Sequence, residues 1–151
     1  MNNNDIIRQL RYTFNLSDKK VVELFALEDK EVSEEQVVNW LKKEDDPNCV
    51  VISDYELATF LNGFISDKRG KKEGATPQAE KELNNNIILR KLKIALELKD
   101  TDLLEILAKA DMQISKHELS AFFRKPTQGQ YMPCKDQIMR RFLHGLQLKY
   151  R

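Results

Sequence analysis

The sequence lacks any hydrophobic run that approaches the roughly 20 residues needed to cross a lipid bilayer. Residues 1–5 also lack the basic and then apolar regions of a secretory signal. The 151 residues include two cysteines, Cys49 and Cys134, which are far apart and fit no metal-binding motif. We therefore expect a cytoplasmic protein with reduced thiols and no membrane partner.

The motifs of common enzyme classes are absent as well. The sequence has no Gly-rich phosphate loop, no Gly-x-Ser-x-Gly and no Cys-His-Asp arrangement. Its two histidines, His117 and His144, have no cysteine or carboxylate at zinc-binding spacing. We therefore expect a protein that is not an enzyme, with no catalytic residues, no metal and no cofactor.

An internal repeat is the strongest pattern that is present. Comparing residue i with residue i+82 aligns residues 1–69 with residues 83–151 without a gap, and 18 of the 69 pairs are identical. They include Asn2-Asn3-Asn4 with Asn84-Asn85-Asn86, and Phe60-Leu61-x-Gly63 with Phe142-Leu143-x-Gly145. The sequence predicts two tandem copies of one unit, residues 1–69 and 83–151, joined by a short polar linker at residues 70–82.

Each copy shows four stretches in which apolar residues recur at helical spacing. Helices are predicted near residues 4–14, 18–28, 34–43 and 54–66, and again 82 residues later. Capping boxes begin at Ser33, Ser53 and Ser115, and Asn4 or Asn86 is expected to cap the first helix of its copy. No segment shows sustained period-two alternation. The predicted fold is all-α, with two copies of a four-helix unit.

Several paired residues suggest structural roles. Trp40 and Phe122 are expected in the core, and Arg8 and Arg90 are expected to pair with Glu23 and Glu105. Gly63 and Gly145 predict either a close helix–helix approach or the end of the fourth helix, because glycine is unfavourable inside a helix. Thr76-Pro77 is typical of a further helix start, and the sequence leaves open whether residues 77–97 form one continuous helix.

The two copies carry opposite net charges. Residues 1–69 contain 9 Lys and Arg against 14 Asp and Glu, whereas residues 83–151 contain 13 against 7. The copies could pair with each other, within one chain or in a homo-oligomer, since complementary charge favours docking. The acidic copy could instead mask a basic surface that binds another partner, or both charged faces could simply be solvated.

The helix order of the second copy is similar to a repressor-type helix-turn-helix, with residues 115–125 as the recognition helix. Bases would then be contacted by Lys116, His117 and Ser120, and phosphates by Arg124, Lys125, Arg140 and Arg141. Two features disagree with this interpretation. The turn at residues 110–114 is long and lacks glycine, and the first copy carries Glu34 and Glu35 at the equivalent helix. Nucleic-acid binding is therefore the alternative to a self-associating or protein-binding module.

The Asn-Asn-Asn-x-Ile-[Ile/Leu]-Arg-[Gln/Lys]-Leu pattern and the Phe-Leu-x-Gly pattern occur in both copies. In these motifs, and in its doubling, the chain resembles the YehS-like family of uncharacterised bacterial proteins, domain of unknown function 1456. The resemblance covers nearly the whole chain and implies a bacterial cytosolic protein. It brings no activity and no functional residue with it.

Overall fold

The chain is all-helical in the computed structural model, which describes residues 1–70 and 78–151. The described residues form eight helices and no β-strand. The helices are α1 (Asn3–Thr13), α2 (Asp18–Ala26), α3 (Glu34–Leu41), α4 (Asp54–Arg69), α5 (Asn85–Ala95), α6 (Asp100–Lys109), α7 (Lys116–Phe122) and α8 (Asp136–Tyr150). The predicted fold class is confirmed, with four helices in each copy.

The region between the copies answers part of the question whether residues 77–97 form one continuous helix. Residues 78–84 are not helical, and α5 begins at Asn85, so no helix runs continuously into residue 97 from before Asn85. Thr76-Pro77, the predicted helix start, lies outside the described residues.

Helix starts follow the local capping signals. The side chain of Ser33 accepts a hydrogen bond from the backbone of Gln36, Gln36 bonds back to the backbone of Ser33, and Ser53 forms the same reciprocal box. Ser115 accepts from the backbone of Glu118, but Glu118 does not bond back to the backbone of Ser115, so this predicted box is half formed. These bonds satisfy backbone groups that the first turn of a helix would otherwise leave unpaired. The helix starts predicted from these serines are confirmed.

The capping prediction for the first helix of each copy is wrong by two residues. Asn2 caps α1 and Asn84 caps α5. Asn4 and Asn86 lie inside their helices and are buried. All three asparagines of the triplet suit a cap by residue type, so local preference could not identify which one would turn inward.

Glycine inside the last helix of each unit permits close packing. A Cβ on Gly63 would overlap the carbonyl oxygen of Leu24, and a Cβ on Gly145 would overlap that of Ile106. Thus α4 lies directly on the backbone of α2, and α8 on that of α6. The predicted close helix–helix approach is confirmed.

Aromatic side chains fill the core as expected. Trp40 and Phe122 are both buried, and the Trp40 ring packs 5.4 Å from the ring of Phe25. The two copies thus bury an aromatic residue at the same position of their third helix.

The paired arginines act differently from the prediction. Arg8 pairs with Asp5 and donates to the carbonyl oxygen of Lys42, and Arg90 donates to that of Phe123. Each arginine therefore binds a carbonyl just after the third helix of its unit, rather than Glu23 or Glu105. Long flexible side chains can reach several partners, and the exposed carbonyls of a helix end compete well with a solvated carboxylate.

The two units meet through their first and last helices, α1 against α8 and α4 against α5. Arg69 donates to the carbonyl of Ile94 at 3.3 Å, and Arg151, its counterpart 82 residues later, donates to that of Tyr12 at 3.0 Å. Because Tyr12 and Ile94 are also 82 residues apart, the contact is reciprocal. Such self-complementarity is what a twofold axis produces, so the chain forms an internal dimer of its own repeats.

One buried polar contact breaks this symmetry. The ammonium of Lys91, in α5, donates to the side-chain oxygen of Asn62, in α4, at 2.6 Å. It also lies 2.9 Å from a carboxylate oxygen of Glu80. The positions equivalent to Lys91 and Asn62 hold Gln9 and His144, which are half-buried and exposed. Only one of the two symmetry-related positions therefore holds a buried charge.

Candidate interaction faces

Helix α7 presents a polar face to solvent while its other face packs into the second unit. Leu119 and Phe122 are buried, whereas Lys116 and His117 in the first turn are exposed and Ser120 is half-buried. Within the described residues, the side chains of these three polar residues form no ion pair and no hydrogen bond. The structure thus brings the three predicted base-contacting residues together on one helix.

The predicted phosphate contacts separate into two groups. Arg124 and Lys125 lie just after the end of α7, with Lys125 exposed and Arg124 half-buried. The Nε atom of Arg124 is enclosed and has no hydrogen-bond partner. The predicted recognition helix covered residues 115–125, but α7 ends at Phe122. Arg124 and Lys125 therefore lie beyond the helix.

Arg140 and Arg141 occupy adjacent positions on α8 but have different surroundings. Arg140 is exposed. Arg141 is half-buried and donates to the carbonyl oxygen of Ala110, the residue that caps the end of α6, at 3.0 Å. A cation at this place satisfies an unpaired carbonyl and complements the negative end of the helix dipole.

A second exposed face lies on α3, in the first unit. Glu34 and Glu35 occupy its first turn and are exposed, and Val38 one turn later is 39% exposed. The backbone of Val50 donates to the carbonyl of Asn39 at 3.0 Å, which fixes the extended segment beside α3. Val50 and Val51 are 48% and 79% exposed. The α3 face therefore combines two carboxylates with an uncovered aliphatic surface.

These two faces are equivalents of each other in the repeat. Glu34 corresponds to Lys116, Glu35 to His117, Val38 to Ser120 and Val50 to Met132. We call the set Glu34, Glu35, Val38, Val50 and Val51 the acidic face, and the set Lys116, His117, Ser120, Lys125 and Met132 the basic face. The sequence analysis found Lys116, His117, Ser120 and Lys125 of the basic face but missed Met132 and the valines of the acidic face. The signal available in the sequence was the pair of adjacent valines, Val50-Val51, in a loop. In the repeat alignment this pair corresponds to Met132-Pro133.

The contact between the units does not neutralise the opposite charges. Across this boundary, the amino group of Met1 lies 3.3 Å from Asp136 and Arg69 lies 3.5 Å from Glu97. In both pairs the positive group belongs to the first copy, although that copy is acidic overall. Within residues 1–70 and 78–151, no carboxylate of the first copy forms an ion pair with a cation of the second.

Among the described residues, two titratable groups have shifted pKa values, and both lie near the start of α8. Burial, with a smaller contribution from the charge of Asp136, raises the pKa of the Cys134 thiol to about 12. A hydrogen bond from Asn85 and the nearby amino group of Met1 lower the pKa of Asp136. Cys134 is therefore a protonated core residue at neutral pH, and Asp136 is an anionic partner of the first helix of each unit.

Comparison with known proteins agrees with the repeat that the geometry shows. The family model described as "Protein of unknown function (DUF1456)" matches residues 3–70 and again residues 85–151. The chain belongs to this family. The DUF1456 match therefore falls twice, once on each four-helix unit, and the resemblance drawn from the sequence motifs is confirmed.

A curated DUF1456-like relative covers nearly the whole chain. The chain is 41% identical to "Uncharacterized protein YehS" of Escherichia coli (strain K12) over 147 residues, which are 97% of this chain and 94% of the relative. No solved structure matches the chain. The alignment with this relative therefore spans both four-helix units of the chain.

The described part of this DUF1456 chain lacks a membrane-spanning helix and a metal-binding cluster. None of its helices is long and apolar enough to span a bilayer. Residues 1–70 and 78–151 contain no group of three or more His, Cys, Asp or Glu arranged to hold a metal ion.

Proposed function

We propose that the protein is a non-enzymatic self-association module, in which the acidic face of one chain docks on the basic face of another. The observation that carries the proposal is that the equivalent positions Glu34 and Lys116 hold opposite charges, which remain unpaired among the described residues, while Glu35 corresponds to the polar His117. The side chains of Glu34, Glu35, Lys116 and His117 form no ion pair among the described residues. Complementary charge of this kind selects the partner and its orientation.

Exposed apolar surface on both faces supports the same proposal. Val51 is the most exposed large hydrophobic residue of the described chain at 79%, and it lies next to Val50 beside α3. On the basic face Met132, the counterpart of Val50, is 40% exposed. Burying aliphatic surface at the centre of a charged rim is how specific interfaces gain affinity.

The arrangement implies a head-to-tail assembly. The acidic face belongs to α3, which packs on α1 and α2, and the basic face belongs to α7, which packs on α6. Because the two faces differ, docking one on the other leaves a free face at each end of the pair. Such heterologous contacts build rings when the rotation closes and open chains when it does not.

The alternative is that the basic face binds nucleic acid, as the helix order of the second unit suggests. The exposure of Lys116, His117, Lys125 and Arg140 supports this alternative. Two observations count against this alternative. Helix α7 has seven residues, and Arg141 already donates to the carbonyl of Ala110. We further propose a cytoplasmic location, supported by the unpaired thiols of Cys49 and Cys134.

Charge reversal tests the proposal. We expect the mass of the wild-type protein in light scattering to rise with protein concentration and to fall with salt, because exposed charges are screened. Glu34→Lys with Glu35→Lys, or Lys116→Glu with His117→Glu, should each give a monomer. Combining all four changes in one chain should restore association, since complementarity returns with the signs exchanged.

A matched control for the Glu34 and Glu35 reversal changes the net charge of the chain by the same amount at other positions. Glu23→Lys with Glu105→Lys alters exposed positions of α2 and α6 and should leave the mass as in the wild type. A wild-type protein that stays monomeric at low salt contradicts self-association. If, in addition, random duplex DNA is shifted in electrophoresis and Lys125→Glu abolishes the shift while Lys43→Glu does not, the nucleic-acid alternative replaces it.

A further inference from the structure

A polar cavity of about 350 Å³ opens in the first unit, between the end of α2, the start of α4 and the segment before α5. Its lining includes seven residues with polar side chains, namely Glu28, Asp29, Tyr55, Thr59, Asn62, Gln78 and Lys81. It is separate from both charged faces described above. The lining therefore carries two carboxylates, an ammonium, two amides and an aromatic ring.

The second unit shows what occupies the equivalent place there. Arg141 is the counterpart of Thr59, and Ala110 is the counterpart of Glu28. In the second unit the guanidinium of Arg141 donates to the carbonyl of Ala110 at 3.0 Å. In the first unit Thr59 is buried, and its hydroxyl donates within α4 to the carbonyl of Tyr55 at 2.8 Å. Threonine is too short to reach the end of α2, and within residues 1–70 and 78–151 no guanidinium bonds to the carbonyl of Glu28.

The first unit also carries more negative charge at this place. Glu28 and Asp29 line the cavity, where the second unit has Ala110 and Asp111. The hydroxyl of Ser66 donates to one carboxylate oxygen of Glu28 at 3.3 Å, and Asp29 forms no ion pair in the described part of the chain. A helix C-terminus with two carboxylates strongly favours a cation.

A buried amide gives the cavity a second recognition point. Asn62 is 94% buried, and its oxygen accepts from the ammonium of Lys91. Asn62 lines the cavity, and its side-chain nitrogen has no hydrogen-bond partner among the described residues. This free donor and the ammonium of Lys81, which lines the same cavity, are suited to an acceptor group on a ligand.

We propose that this cavity binds a small guanidinium compound that also carries an acceptor group, as free arginine does. The guanidinium lies against Glu28 and Asp29 at the end of α2, in the role that Arg141 plays within the second unit. The ring of Tyr55, which already has the ammonium of Lys30 5.8 Å from its centroid, adds an aromatic contact. The carboxylate of the ligand meets the nitrogen of Asn62 and the ammonium of Lys81.

Calorimetric titration at low salt tests the proposal with three probes. We expect L-arginine to bind with one site per chain, and agmatine, which keeps the guanidinium but lacks the carboxylate, to bind more weakly. L-Citrulline, which has the same shape with an uncharged head, should bind at least about tenfold more weakly than L-arginine, a loss of about 1.4 kcal/mol. Equal binding of L-citrulline, or no binding of L-arginine, overturns the proposal.

A substitution taken from the repeat itself provides the decisive variant. Thr59→Arg should place an internal guanidinium on the end of α2, as Arg141 does on α6, and abolish L-arginine binding while raising the melting temperature. Thr101→Arg, at an exposed position of α6, adds the same side chain elsewhere and should leave binding unchanged. Retention of binding by a folded Thr59→Arg variant contradicts the site.

A second pair of variants decides the matter if Thr59→Arg does not fold. Glu28→Gln with Asp29→Asn removes both charges from the cavity and should weaken L-arginine binding by at least about tenfold. Asp111→Asn alters the equivalent place in the second unit and should leave the affinity as in the wild type. Equal affinities for these variants show that the cavity is not the binding site.

Discussion

Asn4 and Asn86 each use their whole side-chain amide to hold an extended segment. Asn4 donates to the carbonyls of Trp40 and Val50, at 2.9 and 2.8 Å, and accepts from the backbone of Ile52 at 3.1 Å. Asn86 makes the equivalent three bonds in the second unit. At the residue scale, these asparagines fix the segments that carry Val50, Val51 and Met132 beside α3 and α7.

We predict that Asn86→Ala destabilises the protein by about 2–4 kcal/mol, because it leaves three buried backbone groups without partners. Urea unfolding followed by circular dichroism measures the change. Asn84→Ala removes only the cap of α5 and should cost about 1 kcal/mol. A smaller loss for Asn86→Ala than for Asn84→Ala would show that Asn86 is not the anchor of this segment.

At the scale of the helices, each unit is organised around one close pair. In the first unit α4 crosses α2 at Gly63, and in the second α8 crosses α6 at Gly145. Glycine lets two helix backbones approach without an intervening side chain, and aromatic residues such as Phe60 then fill the space beside the crossing. The repeated glycine therefore sets the distance between the helices rather than ending the fourth one.

Gly145→Ala should destabilise the protein by about 1–3 kcal/mol, since the new methyl group would force α8 away from the carbonyl of Ile106. At an ordinary helical site the same change would stabilise by up to about 1 kcal/mol, so the sign of the effect is diagnostic. The control is Gly129→Ala, where an added Cβ meets open space. Calorimetric melting of both variants gives the comparison, and a higher melting temperature for Gly145→Ala would refute the close crossing.

At the scale of the whole molecule, the chain is a dimer of repeats with one asymmetric contact. The reciprocal bonds of Arg69 and Arg151 follow the internal twofold axis, whereas the Lys91–Asn62 bond occurs once. A buried ammonium must keep its partners, because an unpaired buried charge is strongly unfavourable. Separating the two units would leave the buried ammonium of Lys91 without its Asn62 acceptor. The contact therefore holds the second unit against the first.

We expect Asn62→Ala to lower the free energy of unfolding by about 1–3 kcal/mol, because the ammonium of Lys91 loses an acceptor. His144→Ala, at the symmetry-related and exposed position, should change stability by less than about 0.5 kcal/mol. Both values come from denaturant titration. Equal effects for the two variants would mean that the buried lysine does not join the units.

The sequence determined the helices, the doubling and the caps of α3, α4 and α7, but not the caps of α1 and α5. The starts of α2, α3, α4, α6, α7 and α8 were predicted to the residue, because capping and helical periodicity depend on neighbours a few positions away. The same periodicity placed Trp40 and Phe122 in the core. Of the candidate site, sequence reasoning found Lys116, His117 and Ser120 on one helical face, since that too is a local relation.

Tertiary structure decided what each repeated residue does. Local preference predicted Asn4 as a cap. Folding instead brings its amide between the end of α3 and the extended segment beside it, where it bonds to the backbone of both. Arg141 and Thr59 occupy equivalent positions, yet one binds the end of a helix and the other lines a cavity. The difference arises because partners more than 30 residues apart in the chain become neighbours through packing, and no local pattern encodes that distance.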